Sequence, residues 1–336
     1  MKQKKIAVLT LVVLMVILAM LSIGGCQKSA EKPIVPKSTP SAPKTVPRSS
    51  LSAEVAKYKQ EPTISLYRSA TGAKQEIKLE QYLKGVIAGE IGPKFPMEAL
   101  KAQAIVARTM TLALINYEHG TRGKHGTDAS DNHTEFQAYD EKAITDNISK
   151  AVDATRGEVL VYNGKFAYAL FSSFAGPKTA SIEEGFPTLD NKYSAKAYLK
   201  PVSTNGSKYA PAKYKNWTVK VPKSTIKNIM GSKAGSLNDI RVSKKGPSGR
   251  ALTVSAGSAT ISGVKLREAV GFDKLFSTMF TSITPQGNYI VFKGTGWGHG
   301  VGMEQWGAYT MAKEGKKAPQ IVEHYFPGAR WNKLYK

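Results

Sequence analysis

A carboxylic acid in an unexpected place is the first sign of chemistry in this chain. In LEQYLKGVIAGE, residues 79–90, Leu79, Leu83 and Val86 recur at spacings of four and three, the stripe an amphipathic helix turns towards its core. The next place on that stripe is Glu90, where a leucine would be ordinary. It also falls in the last turn, at the negative end of the helix dipole. Desolvation and dipole both disfavour the carboxylate and raise its pKa, as a proton donor working near neutral pH requires. The competing reading is a solvated glutamate at a frayed helix end.

A second stretch, KGTGWGHGVGMEQWGAY from Lys293, carries five glycines between Gly294 and Gly302, with Trp297 and His299 projecting from them. The glycines are not in the G-x-G-x-x-G register and no Gly-Lys-Ser/Thr follows, so a nucleotide cradle is a weak reading. Backbone this bare can approach a ligand closely, and an indole beside hydrogen-bonding groups suits the C–H face of a sugar ring. A packed glycine turn with Trp297 in the core is the alternative. Gln103 and Arg108 are the polar exceptions in an otherwise apolar helix. A buried Arg108 needs a partner, either a core carboxylate or a bound ligand.

Other catalytic constellations are missing their parts. Ser172, Ser173 and Ser181 lack a Gly-x-Ser-x-Gly or Ser-x-x-Lys frame. His119, His125 and His133, spaced by six and eight, match no compact ligand motif and read as solvated loop histidines. The single cysteine, Cys26, leaves no disulfide and no thiolate site downstream.

These groups need elements to carry them. ISLYR predicts a strand and residues 77–91 a helix, broken at Gly92-Pro93. A long helix over about 96–118, apolar on most sides, is expected to be central, with Pro96 at its start and Glu98 in its first turn. GEVLVYNGKFAYALFSS predicts strands around an Asn163-Gly164 hairpin. WTVKV, STIKNIM, IRVSKKGPSGRALTVSAGSATISG, VKLREAVG and NYIVFKG then alternate strand and helix without the even period of a βαβ array. The expected class is α+β: mixed sheets packed with helices around the long central helix, preceded by a disordered tether.

At 336 residues and 41% hydrophobic content the chain has room for a real core, but its net charge of +23 implies a polyanionic neighbourhood. Lys2, Lys4 and Lys5 precede an apolar run from Ile6 to Ile23, and Gly24-Gly25-Cys26 follows, the pattern of an export signal. A plain membrane anchor is the alternative. Cys26 resembles the acylated cysteine of bacterial lipoproteins. Five prolines between residues 27 and 60 read as a spacer. The expected organisation is a signal peptide over 1–25, a lipid-anchored Pro/Lys/Ser-rich linker over 26–60 and one domain over 61–336. That places the protein outside the cytoplasm, held to the membrane by its lipid, with no nucleic acid as partner.

Together, VIAGEIGPKFPMEALKAQAIVART, FQAYD, FKGTGWGHGVGMEQWGAYTMAKEG and IVEHYFPGARW resemble the stage II sporulation protein D / LytB (SpoIID) family over about residues 63–335, loosely between 180 and 285. Members are exported or membrane-anchored peptidoglycan proteins, and those studied as enzymes are lytic transglycosylases. The resemblance implies Glu90 as the catalytic acid and Gln103, Arg108, Gln137, Tyr139, Trp297, His299 and Gln305 along a glycan groove. It implies peptidoglycan strands as substrate, with release of 1,6-anhydro-muramic ends. The alternative is a non-catalytic binder that recruits or stimulates a cell-wall amidase. Some members hold zinc through cysteines and histidines before the Gln-x-Tyr. HGTDASDNHTEFQAYD has no cysteine, so neither metal nor other cofactor is expected. Ile91 and Phe174-Ala175-Gly176 depart from the family's usual Met and Ser/Gly-rich run.

Overall fold

The computed structural model describes residues 45–189 and 195–336. In chain order the main elements are β1 (Thr63–Arg68), β2 (Ala73–Lys78), α1 (Leu79–Glu90), α2 (Met97–Tyr117), β3 (Ala129–Ser130), α3 (Asp146–Ala154), β4 (Glu158–Tyr162), β5 (Lys165–Phe166) and β6 (Phe171–Ser172). There follow β7 (Trp217–Pro222), α4 (Lys223–Met230), β8 (Arg241–Lys245), β9 (Ala251–Ala256), β10 (Ala259–Ser262), α5 (Gly263–Val270), β11 (Phe280–Gln286) and β12 (Tyr289–Gly294). The chain closes with β13 (Met303–Glu304), α6 (Gln305–Lys313), α7 (Ala318–Tyr325) and β14 (Arg330–Lys333).

The fold is α+β, as the alternation without a βαβ period predicts. Small sheets run in the orders β2-β1-β3, β10-β9-β8, β11-β12-β7, β13-β6 and β14-β4-β5. Among the strands of the described residues, the two-residue pairings β1–β3 and β13–β6 are parallel and the rest antiparallel. The long helix α2 is central: α1, α3, β4, α6 and α7 all pack against it. Along it Leu100, Ala104, Ala107 and Leu112 are fully buried. Its N-cap is Pro96, and Glu98 in its first turn accepts the Ala318 N–H at 2.9 Å, tying α2 to α7. Among the described residues no helix is long and apolar enough to cross a membrane.

Two apolar cores organise the domain. The larger collects α1, α2, β4 and the C-terminal helices; the smaller is built from residues 217–292, around Trp217, Ile226, Leu266, Ile290 and Phe292. The smaller lobe is thus an insertion between β6 and β13. The glycine-rich return, Gly294 to Gly302, carries the chain back across its base.

Cys26, the expected signal peptide and most of the expected linker lie outside the described residues. The expected spacer nevertheless ends earlier than residue 60. Val46 N–H reaches the Trp331 carbonyl at 3.3 Å, the Arg48 guanidinium reaches the Leu334 carbonyl at 2.9 Å, and Val55 and Tyr58 are buried. The prolines that mark the spacer stop at Pro47, and the apolar groups after it find a core to join.

Candidate active site

Glu90 is the last residue of α1. Ile91 and Gly92 N–H both return to the Ile87 carbonyl, at 3.2 and 3.1 Å, and Gly92 takes φ +68°, a left-handed stop that glycine adopts without steric cost. The expected stripe is buried: Leu79, Leu83 and Val86 have no exposure, and Glu90 at its end is half-buried.

Two glycines one turn apart on α1 bring a loop onto the same face. A Cβ on Gly85 would lie 2.2 Å from the Tyr139 ring, and one on Gly89 would lie 2.9 Å from the Ala138 carbonyl carbon. The loop therefore rests directly on the helix backbone. Asp140 N–H donates to the Gly85 carbonyl at 2.9 Å, and Ala138 N–H donates to Glu90 Oε1 at 2.9 Å. The Gln305 side chain comes up to the same carboxyl from the start of α6, its Nε2 otherwise without a partner. Burial is the largest influence and pushes the Glu90 pKa up to about 7. The Ala138 N–H and Gln305 pull the other way. A group so placed exists in both protonation states near neutrality, the condition for giving a proton and taking one back.

Tyr139 lies flat beside Tyr82, ring centroids 5.6 Å apart and nearly parallel, with the Arg68 guanidinium 5.2 Å from its centre. Gln137 is buried, donating from Nε2 to Thr111 Oγ1 at 2.7 Å while its Oε1 has no partner. The fully buried Gln103 likewise leaves both ends of its amide unpaired. Gln137, Tyr139 and Gln305 thus accompany Glu90 by direct contact or through the 137–139 loop.

Arg108 does not belong to a groove. It is fully buried and forked onto Glu80, Nε to Oε1 at 3.0 Å and Nη2 to Oε2 at 2.6 Å. Tyr335 Oη–H and Gly157 N–H complete the Glu80 carboxylate, at 2.7 and 3.2 Å. Of the two partners its burial required, the structure supplies the core carboxylate. Glu80 sits beside Leu79 at the start of α1, with no pattern to distinguish it from an exposed glutamate.

The glycine-rich return has its own reasons for glycine. A Cβ at Gly302 would lie 2.0 Å from the Leu170 carbonyl oxygen and one at Gly300 2.1 Å from Arg250 Nη2. Trp297 stacks on Phe276 at 4.2 Å and meets Tyr214 at 4.5 Å, with backbone bonds in both directions to Phe174. His299 accepts the Val301 N–H at Nδ1, 3.1 Å, and packs edge-on against Phe186. Burial, with Arg267 and Arg250 nearby, pushes its pKa down to about 3, so the ring is neutral at neutral pH. Trp297, half-buried and in neither apolar core, and His299 are both engaged by protein partners. The return still serves the site: β13 pairs with Phe171–Ser172, and Trp306 N–H reaches the Ser173 carbonyl at 3.2 Å, which fixes the turn presenting Gln305.

Glu304 escapes sequence reasoning altogether. It is fully buried, its pKa pushed up to about 7 by desolvation against Thr204 and the Ala175 and Gly206 backbone. Its oxygens are occupied by Ala175 N–H at 2.9 Å and by the Thr204 hydroxyl. The environment comes from Gly206 and Gly307, remote in sequence from each other, which allow close approach. Of the loop histidines, His119 and His133 are exposed, whereas His125 Nε2 is 2.7 Å from Glu135 Oε2 and its ring stacks on Tyr67. Among the described residues no three His, Cys, Asp or Glu side chains are grouped to hold a metal ion.

Comparison with known proteins places this geometry in context. A family model described as Stage II sporulation protein (SpoIID) matches residues 67–162, which include Glu90 and the 137–139 loop. A domain of unknown function (DUF8618) matches residues 180–302. The stage II sporulation protein D of Bacillus subtilis is 32% identical over 281 residues, 80% of this chain and 78% of its own length. An uncharacterized protein of Brachyspira hyodysenteriae is 34% identical over 257 residues, 75% of this chain and 66% of its own length. An amidase enhancer of Bacillus subtilis is 30% identical over 293 residues, 73% of this chain but 39% of its own length.

Proposed function

This chain belongs to the stage II sporulation protein D family, and from that premise we propose that it is a lytic transglycosylase of peptidoglycan in which Glu90 is the one acid–base group. The neutral Glu90 gives its proton to the glycosidic oxygen between N-acetylmuramic acid and N-acetylglucosamine as the C1–O bond breaks. The carboxylate then takes the proton of the muramic acid 6-hydroxyl while that oxygen bonds to C1, closing the 1,6-anhydro ring. The proton returned restores the acid and no water is consumed. Ala138 N–H and Gln305 stabilise the carboxylate during the interval when the proton is away.

The observation that carries the reading is one half-buried carboxyl poised near pH 7 with a single backbone donor on it. Hydrolysis with two carboxyls calls for a partner acid or base across the bond. No other carboxyl is among the groups that shift the Glu90 pKa, and Glu304 is enclosed with its oxygens occupied. Mass spectrometry of glycan strands digested by the protein tests the proposal. Anhydro-muramic termini are expected; reducing termini would mean hydrolysis.

A second reading comes from the amidase enhancer among the relatives: the same groove would hold a strand for a partner amidase. Stimulation of an amidase by a protein that releases no glycan fragments would favour it. In either case we place the protein outside the cytoplasm, attached through lipidated Cys26 and the spacer behind it. A Cys26→Ser chain is expected in the soluble fraction of the cell envelope or the medium, and its retention in membranes would contradict the anchor.

A further inference from the structure

We infer that an aromatic shelf beside Glu90, formed by Phe95, Trp306, Tyr309 and Tyr209, binds sugar rings of an anionic glycan strand away from the bond being broken. The proposal builds on the reading of Glu90 as the acid and names where the rest of the strand lies. Three segments distant in sequence supply the rings: the connection between α1 and α2, the start of α6, and the loop before β7. Phe95 is 5.1 Å from both Trp306 and Tyr309, those two are 5.2 Å apart, and Tyr209 is 5.2 Å from Tyr309. Trp306 and Tyr309 stand three apart on α6, so they share one helix face.

This cluster belongs to the surface. Of the four only Phe95 also packs against the main core, Trp306 and Tyr309 are half-buried, and Tyr209 is 41% exposed. A contiguous run of partly exposed rings is a surface on which a ligand can lie, and aromatic side chains pair a flat apolar face with little entropy to lose on binding. The position selects the occupant. Trp306 follows Gln305, whose side chain is against Glu90, and Phe95 lies five residues beyond Glu90 itself. A strand entering the site therefore runs onto the shelf. Its charge selects too: Lys208 Nζ, which pairs with Glu314, is 5.6 Å from the Tyr209 ring and Lys313 Nζ 5.8 Å from the Tyr309 ring. Pyranose C–H faces would lie on the rings while lactyl or stem-peptide carboxylates meet the lysines.

The test uses full-length protein carrying Glu90→Gln, so that strands are bound and not cut, and calorimetry with purified peptidoglycan strands and with N-acetylglucosamine oligomers. Adding Tyr209→Ala with Tyr309→Ala is expected to weaken strand binding at least tenfold, and Tyr209→Ala alone severalfold. Tyr289→Ala, an equally exposed tyrosine on the smaller lobe, is expected to change nothing. Unchanged affinity in the double variant, with melting temperature preserved, overturns the shelf. So does equal weakening by Tyr289→Ala, or loss of amidase binding with strand binding intact, which would make the patch a protein interface. Failure of the Glu90 reading shows separately, as equal cleavage by the parent and the Glu90→Gln protein.

Discussion

Glu90→Gln is expected to reduce release of anhydro-muramic fragments by a hundred- to ten-thousandfold, the usual range for one positioned acid–base group, while the protein still sediments with peptidoglycan. The amide keeps the shape and can face Ala138 and Gln305, but it has no proton to lend. The pH dependence follows from the same group. Parent activity should fall as pH rises through about 7, where Glu90 loses the proton it must donate, and residual activity of the variant should be flat there. Stability moves in the same sense. The folded pKa lies above the ordinary 4.5 of an unfolded glutamate, so the native state holds the proton more tightly. The stabilisation is complete below 4.5 and disappears as pH rises through 7. Glu304 shifts in the same direction, so the contribution of Glu90 is read as the difference between variant and parent. The variant should gain stability over the parent above neutrality. A variant that cuts strands at the parental rate would remove Glu90 from the mechanism.

The second large effect is on folding. Glu80→Ala leaves the Arg108 guanidinium in the core without its carboxylate, a change that costs about 3–5 kcal/mol. Against a total stability of about 5–15 kcal/mol, such a loss should be evident as a lower midpoint in urea, with the slope unchanged. Replacing both partners, Glu80→Leu with Arg108→Met, removes the orphaned charge and should recover much of it. If Glu80→Ala costs no more than a surface substitution, the pair is not what holds α1, α2 and Tyr335 together.

What the sequence discloses here is what local pattern controls. The stripe of α1, the apolar length of α2 and the Asn163-Gly164 turn, both residues at positive φ, are written in neighbouring residues, and each is found where expected. Glu90 is visible for the same reason: it interrupts a short-range pattern. Contacts across the chain are not. Nothing near Arg108 shows that Glu80 faces it 28 positions away, and nothing near Trp297 shows Phe276 and Tyr214 closing on it. Glu304 looks like any helix-start glutamate until Gly206 and Gly307 enclose it. The end of the spacer is misjudged likewise, because the contacts of Val46 and Arg48 lie with residues 331–334.

The seating of Ala138 on the bare turn of α1 means that acid strength at Glu90, raised by burial, is trimmed from outside its own helix. Substitutions in the 132–140 segment that lift it by a fraction of an ångström would shorten or lengthen one N–H contact and move the working pH, with every reacting group left in place. If Glu90 acts as proposed, altering a surface segment alone would retune the protein to more acidic or more alkaline surroundings.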